Sequence, residues 1–155
     1  MPRVIMASDT ISAKEGMAYM TIDGTVHEFA ELIKFNARLD YIKADVKGVG
    51  KRMKGVKVVG AEGTGDMEFY YHRPEMRQLA LEYVKSGKQP ILDVQVVNAD
   101  MTSRAGKQTV LIKNLVPDGA LLASLDGDSD DVLKDETDFD FEDFDFLDQF
   151  NTIND

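Results

Sequence analysis

Between Ile33 and Tyr41 apolar and polar residues alternate without a break. Ile33, Phe35, Ala37, Leu39 and Tyr41 hold the odd positions, and Lys34, Asn36, Arg38 and Asp40 the even ones. Successive side chains of an extended chain point to opposite faces, so this pattern predicts a β-strand with one wet face. Ahead of it, the apolar run from Met17 to Ile22 meets Asp23-Gly24, a dipeptide suited to the positive φ angles of a tight turn, which predicts an N-terminal hairpin. Further strands are predicted from Val56 to Val59, Asp66 to Tyr71, Ile91 to Val97 and Gln108 to Val116, the last closing on the turn signal Pro117-Asp118-Gly119. The period changes once. Met76, Leu79, Ala80, Tyr83 and Val84 form the i, i+3, i+4, i+7, i+8 stripe of an amphipathic helix over about 74–86, with Pro74 fitting its first turn and Gly87 its C-terminal cap. Many short strands and one helix predict a mainly antiparallel β-sandwich or barrel with one flanking α-helix.

Two stretches interrupt the alternation. Residues 47–57 form a basic, glycine-punctuated segment containing Lys51, Arg52, Lys54 and Lys57, expected as an exposed loop or long hairpin. The cluster from Gly60 to Gly65 follows at once, and glycines this dense favour bends or close backbone approach over a regular sheet interior.

Length and charge then sharpen the picture. A chain of 155 residues, 43% of them hydrophobic, is expected to bury one core, a single domain over 1–155. Cysteine is absent, which excludes disulfides, thiolate-ligated metals and a thiol nucleophile. The first residues lead into no apolar run long enough for a signal peptide or membrane span. The net charge of -10 is unevenly placed: 13 of the 28 acidic residues but one of the 18 basic ones lie from Asp126 onward, leaving 15 acidic against 17 basic before it. That acidic segment, about 126–155, also holds five of the eight phenylalanines, an aromatic content foreign to solvated acidic tails. Phe139 and Phe141 alternate with carboxylates, as do Phe144 and Phe146 with Asp143 and Asp145, but the two pairs are offset by one residue. The offset predicts two half-buried strand pieces joined by a bulge. An acidic-aromatic disordered tail is the alternative on composition.

Candidate chemistry is thin. Gly50 and Gly55 have the separation of a phosphate-binding P-loop, but Val56 and Lys57 stand where Lys and Ser or Thr must reach phosphate and magnesium. Asp126, Asp128 and Asp130 have the opening spacing of an EF-hand, yet Asp131 replaces the required glycine and Thr137 the bidentate glutamate. His27 and His72 lie in no metal-binding spacing, and no nucleophile elbow or dinucleotide fingerprint is present. The sequence therefore predicts no catalytic, cofactor or metal site.

The stretch from Thr10 to Gly16, Gly50-Lys51-Arg52-Met53-Lys54-Gly55, the run from Gly60 to Gly65, Tyr83-Val84-Lys85-Ser86-Gly87, Ala123-Ser124-Leu125-Asp126 and Phe141-Glu142-Asp143-Phe144-Asp145 together resemble tail tube proteins. The likeness is to those of PBSX-like prophages and related contractile-tailed phages and tail-like particles of Gram-positive bacteria, in the same order along most of the chain. The resemblance implies a fold like the type VI secretion tube protein, with six-membered rings stacked into a hollow tube inside a contractile sheath. It implies a tape-measure protein within, baseplate and tail terminator proteins at the ends, DNA passing through, no cofactor and no active site. It places the protein in a virion tail assembled in the host cytoplasm. The chain departs from the pattern in the acidity of Asp138 and Asp140 and in its residues beyond Asp145.

On that resemblance, edge strands at either end of the sheet, including Phe139, Phe141 and Phe144, are expected to join subunits. The basic loop with Lys51, Arg52, Lys54 and Lys57 is expected to meet the acidic segment of another subunit, with Asp143 and Asp145 among its partners. Two alternatives remain: a tail terminator or baseplate ring protein, which forms one ring without stacking, and a monomeric adaptor that binds DNA or another anionic partner with strong salt dependence.

Overall fold

The computed structural model describes residues 4–29, 31–71 and 74–151. Its elements are β1 (Gly16–Ile22), β2 (Thr25–Glu28), β3 (Leu32–Val46), β4 (Gly55–Tyr70), α1 (Glu75–Ser86), β5 (Leu92–Ala99), β6 (Lys107–Pro117), β7 (Lys134–Phe141) and β8 (Asp143–Asp148). All strand pairings are antiparallel, in the order β2-β1-β5-β6-β7-β4-β3, with β8 added to β6.

The strand β6 joins the two layers. One of its edges pairs with β5, while the other pairs with β8 through Thr109 to Lys113 and with β7 through Val116 and Pro117. The change of partner coincides with a bulge on β6: Leu92 opposes Leu115 and Val94 opposes Ile112, so Asp93 faces two residues. One of them, Asn114, sits at φ 55 and donates its N–H to the Asp93 carboxylate at 3.0 Å. A bulge raises local twist, and here it turns β6 from one sheet into the other. Met20, Val94, Ile112 and Leu115 from the first layer meet Met67, Phe69, Phe139 and Phe141 from the second in one core. Phe29 packs edge-on against Phe69 at 5.4 Å between centroids, and Phe35 stacks on Phe139 at 5.1 Å.

Several expectations hold. Asp23 and Gly24 take φ 51 and φ 80, as the predicted N-terminal turn requires. The helix starts after Pro74 and ends at Gly87 with φ 76. Its apolar stripe is only half used, because Met76 and Leu79 enter the core whereas Tyr83 and Val84 lie on the part of the helix that runs past it and stay exposed.

Other expectations need correction. The strands predicted from Val56 to Val59 and from Asp66 to Tyr71 are the two ends of β4, and the glycine cluster between them is continuous strand, irregular only at its start, where the register shifts between Gly60 and Val58. Close approach is the part that holds: Gly63 lies opposite Phe141 and Gly65 opposite Phe139, and each aromatic ring covers the bare glycine across the ladder. The Phe-rich segment is ordered, but Glu142 is a corner, not a bulge, since β7 pairs with β4 and β8 with β6.

Residues 4–15, ahead of β1, are held by the Arg104 N–H on the Ser8 carbonyl, by Arg104 beside Asp9 and by one buried carboxylate. Asp100, 6% exposed, accepts bonds from the Thr102 hydroxyl at 2.6 Å, the Ser12 N–H at 2.9 Å and the Thr102 N–H at 2.9 Å. These bonds, the Thr102 hydroxyl first, hold its pKa below the usual aspartate value. A depressed carboxylate stabilises the fold above its unfolded pKa, and the contribution is lost as pH falls through the folded value. Asp100→Ala is therefore expected to lower the melting temperature at neutral pH, with the gap to wild type closing as the pH drops below the ordinary aspartate range. A gap that stays constant with pH overturns the assignment.

Candidate assembly surfaces

Three surfaces carry the residues singled out by sequence. The first is a ribbon. Beyond the sheet, β3 and β4 run on together as a two-stranded hairpin whose register continues to Val46 opposite Gly55. The basic loop is its tip, closed by a turn in which the Lys51 N–H donates to the Gly48 carbonyl at 3.2 Å and Gly50 takes φ 80. Lys51, Arg52, Lys54 and Lys57 are all exposed there, and Lys54 pairs with Asp45 at 3.3 Å. Tyr41, Val46, Val49, Met53 and Val56 are exposed as well. A free two-stranded ribbon is marginal in water, and apolar residues along it gain nothing until something covers them.

The second surface is the outer face of β3, β4 and β7. Along β7, Asp135, Thr137, Phe139 and Phe141 point inward while Lys134, Glu136, Asp138 and Asp140 point out. Glu136 lies directly opposite Glu68, and Asp138 opposite Asp66. Like charges facing each other across a ladder cost stability, so this row of carboxylates is not there for the fold. Lys34, at 3.5 Å from Asp66, compensates locally, whereas Arg38 is held at 2.8 Å by Asp40 on its own strand.

The third is β8, an edge strand. Phe144 and Phe146 stand edge to face at 5.8 Å and line an open apolar groove of about 380 Å³ that runs between β6 and the inner side of β3, with Phe35, Leu39, Val110 and Phe141. Asp145 lies 3.8 Å from Lys113 and Asp148 3.5 Å from Lys107. The predicted contact residues thus divide. Asp143, Phe144 and Asp145 are on the surface, whereas Phe139 is buried in the core over Gly65, and Phe141, which covers Gly63, reaches the surface only along the groove.

Sequence reasoning missed the strap, residues 118–133, which carries no regular structure between β6 and β7. It is pinned at its start by the Asp118 N–H to the Asp138 carbonyl at 2.8 Å, the Leu121 N–H to Asp135 at 3.3 Å and the Tyr71 hydroxyl to the Leu122 carbonyl at 2.6 Å, and at its end by the Tyr71 N–H to the Leu133 carbonyl at 3.0 Å. Arg77 lies 4.2 Å over the same tyrosine ring. Asp126, Asp128, Asp130 and Asp131 lie in its exposed middle. The long gap between the Pro117 turn and Thr137 was the available signal. His27 rests 3.8 Å from Glu75, and His72 lies outside the described residues. Among the described residues no group of three or more His, Asp or Glu is placed to hold a metal ion.

An antiparallel sandwich whose charged and apolar features lie on a projecting ribbon, a sheet face and an edge is the build of a structural assembly subunit. The profile of the phage tail tube protein family matches residues 3–148. A phage-like element PBSX protein, XkdM of Bacillus subtilis (strain 168), is 39% identical over 141 residues, covering 91% of this chain and 92% of that protein. The structure of an extracellular contractile injection system's sheath/tube terminator in the extended state contains a chain that superposes with a TM-score of 0.68 at 10% identity, over 92% of this chain and 99% of the other. The anti-feeding prophage baseplate contains a chain that superposes with a TM-score of 0.65 at 13% identity, over 92% and 97%. The chain belongs to the phage tail tube protein family and shares the fold of contractile injection system components. The family is one of structural tail proteins, and the protein is a component of a phage-type tail.

Proposed function

We propose that this protein is the repeating, non-enzymatic subunit of the tail tube of a contractile phage or phage tail-like particle, forming six-membered rings that stack into a hollow conduit. The ribbon carries this assignment. Apart from Lys54, which pairs with Asp45, its basic residues form no ion pair among the described residues and its apolar ones are exposed, and both are accounted for if a neighbouring copy covers them. The carboxylate face of β4 and β7 suits the lumen. A wall that released counterions from DNA would bind it and slow its passage, whereas Asp66, Glu68, Glu136, Asp138 and Asp140 give phosphate nothing to hold. The remaining surfaces are then available to a sheath, a tape-measure protein and the baseplate and terminator at the ends, with assembly in the host cytoplasm. Among the described residues no helix is long and apolar enough to cross a membrane.

Negative-stain electron microscopy of the purified protein over a concentration series tests the assignment. Stacked rings or hollow tubes are expected. Single rings that never stack favour the second reading, a terminator or baseplate ring, which the likeness to a sheath/tube terminator supports. A salt-sensitive DNA-binding monomer that never forms rings overturns both. Reversal of charge at Arg52 and Lys54 to Glu is expected to raise the protein concentration needed for polymerisation on the order of ten-fold, by removing two attractive contacts and adding two repulsive ones. Pelleting assays read the change, and unaltered tube formation rules out an electrostatic role for the ribbon tip.

A further inference from the structure

The molecule is electrically polarised along its longest strand. At one end of β4 is the ribbon tip: residues 43–57 carry Lys43, Lys47, Lys51, Arg52, Lys54 and Lys57 against Asp45 alone. At the other end is the strap, where Tyr71 binds Leu122 and Leu133. Residues 118–133 carry Asp118, Asp126, Asp128, Asp130 and Asp131 with no basic residue. The two ends are about 50 Å apart along the 16 residues of β4, at roughly 3.3 Å per residue. Apart from the contact between Lys54 and Asp45, none of these cations or carboxylates forms an ion pair among the described residues. Both ends also expose apolar side chains between their charges: Val46, Val49 and Met53 on the ribbon, Leu122, Leu125 and Val132 on the strap.

We infer that the basic ribbon tip of one copy seats on the acidic strap of the next, so that the subunits stack head to tail through two different surfaces. The inference rests on the tube assignment and names the receiving surface, which the sequence left anywhere in the acidic segment from Asp126 onward. The three parts of that segment are not equivalent. On β8, Asp145 and Asp148 are already engaged by Lys113 and Lys107. On β7 Glu136, Asp138 and Asp140 form part of the sheet face, where Glu136 and Asp138 lie opposite Glu68 and Asp66 of β4 and Lys34 from β3 engages Asp66. The strap alone combines carboxylates outside any ion pair among the described residues, exposed apolar residues and a place at the end of the molecule opposite the ribbon. A contact between two unlike surfaces whose repeat does not close on itself generates an open filament, and a basic end facing an acidic end also fixes its polarity.

The test uses two full-length variants, each reversing one end: Lys51→Glu/Arg52→Glu/Lys54→Glu in the ribbon, and Asp126→Lys/Asp128→Lys/Asp130→Lys in the strap. Each alone places like charges at both ends and is expected to raise the polymerisation threshold on the order of ten-fold or more. Mixed in equal amounts, they regain complementary ends and are expected to form tubes near the wild-type threshold, read by pelleting and electron microscopy. A strap variant that polymerises like wild type overturns the inference, as does a mixture that stays unassembled. A neutral variant, Asp126→Asn/Asp128→Asn/Asp130→Asn, guards against misfolding. Its assembly is expected to lose much of the wild-type sensitivity to salt, and an unchanged salt dependence counts against the strap. Wild-type tubes with an indifferent strap defeat only this contact, whereas a wild type that never stacks defeats the tube assignment itself.

Discussion

Gly65→Ala is expected to destabilise the subunit by about 3 kcal/mol, the upper range for forcing atoms into a packed interior. A Cβ on Gly65 would overlap both the Asn36 carbonyl oxygen and the Phe139 ring. Neither has anywhere to go. The carbonyl belongs to the β3–β4 ladder, and Phe139 is 1% exposed and held by Phe35. Against a total stability of roughly 5–15 kcal/mol for a domain of this kind, the loss is large enough to read directly as a shift in the urea midpoint at constant slope. At Gly63 the three atoms nearest to an added Cβ all belong to the Phe141 ring, which lies nearer the surface and can turn aside. Gly63→Ala is therefore expected to cost less, and adding Phe141→Leu to recover part of that cost. A shift under about 0.5 kcal/mol for Gly65→Ala, the range of an ordinary surface change, shows that the strand relaxes and that the ring-over-glycine packing is dispensable.

The second large effect separates folding from assembly. Replacing residues 43–59 with Asn-Gly joins Ile42 to Gly60, which already face each other in the ladder, through a two-residue turn of the type antiparallel strands prefer. No residue of the removed ribbon belongs to the core. The shortened chain is expected to fold with near-native thermal stability and to form no tubes at any attainable concentration. Circular dichroism melts and electron microscopy on one preparation read both halves of the claim. Tubes formed by the shortened chain would remove the ribbon from the stacking contact. A chain that fails to fold would mean that the ribbon nucleates the sheet, a role its exposed residues give no sign of.

Much of this was legible along the chain. The alternation from Ile33 to Tyr41, the Asp23-Gly24 turn and the helix between Pro74 and Gly87 each report a local geometry that local chemistry enforces. The cationic tip was legible as well, since nothing in a run of lysines between glycines can be buried. The glycine cluster was misread because glycine's backbone freedom is a local property, whereas the cross-strand phenylalanines that make bare glycine useful come from more than seventy residues further along. Phe139 and Phe144 illustrate the same limit. Both alternate with carboxylates, yet one is buried under β3 and the other lies at the groove, because the chain exchanges β4 for β6 at Glu142.

By itself, then, the sequence determined the β-rich class, the one helix, the basic tip, the acidic end and, through motif order, the family. Tertiary structure alone decided which carboxylates are free. The acidic segment is one composition but three environments: the strap at the end of the molecule, β7 on the sheet face, and β8 against the lysines of β6. Spacing along a chain sets which side of a strand a residue takes, but the partner it meets there depends on pairings between distant segments, and those form only when the core closes.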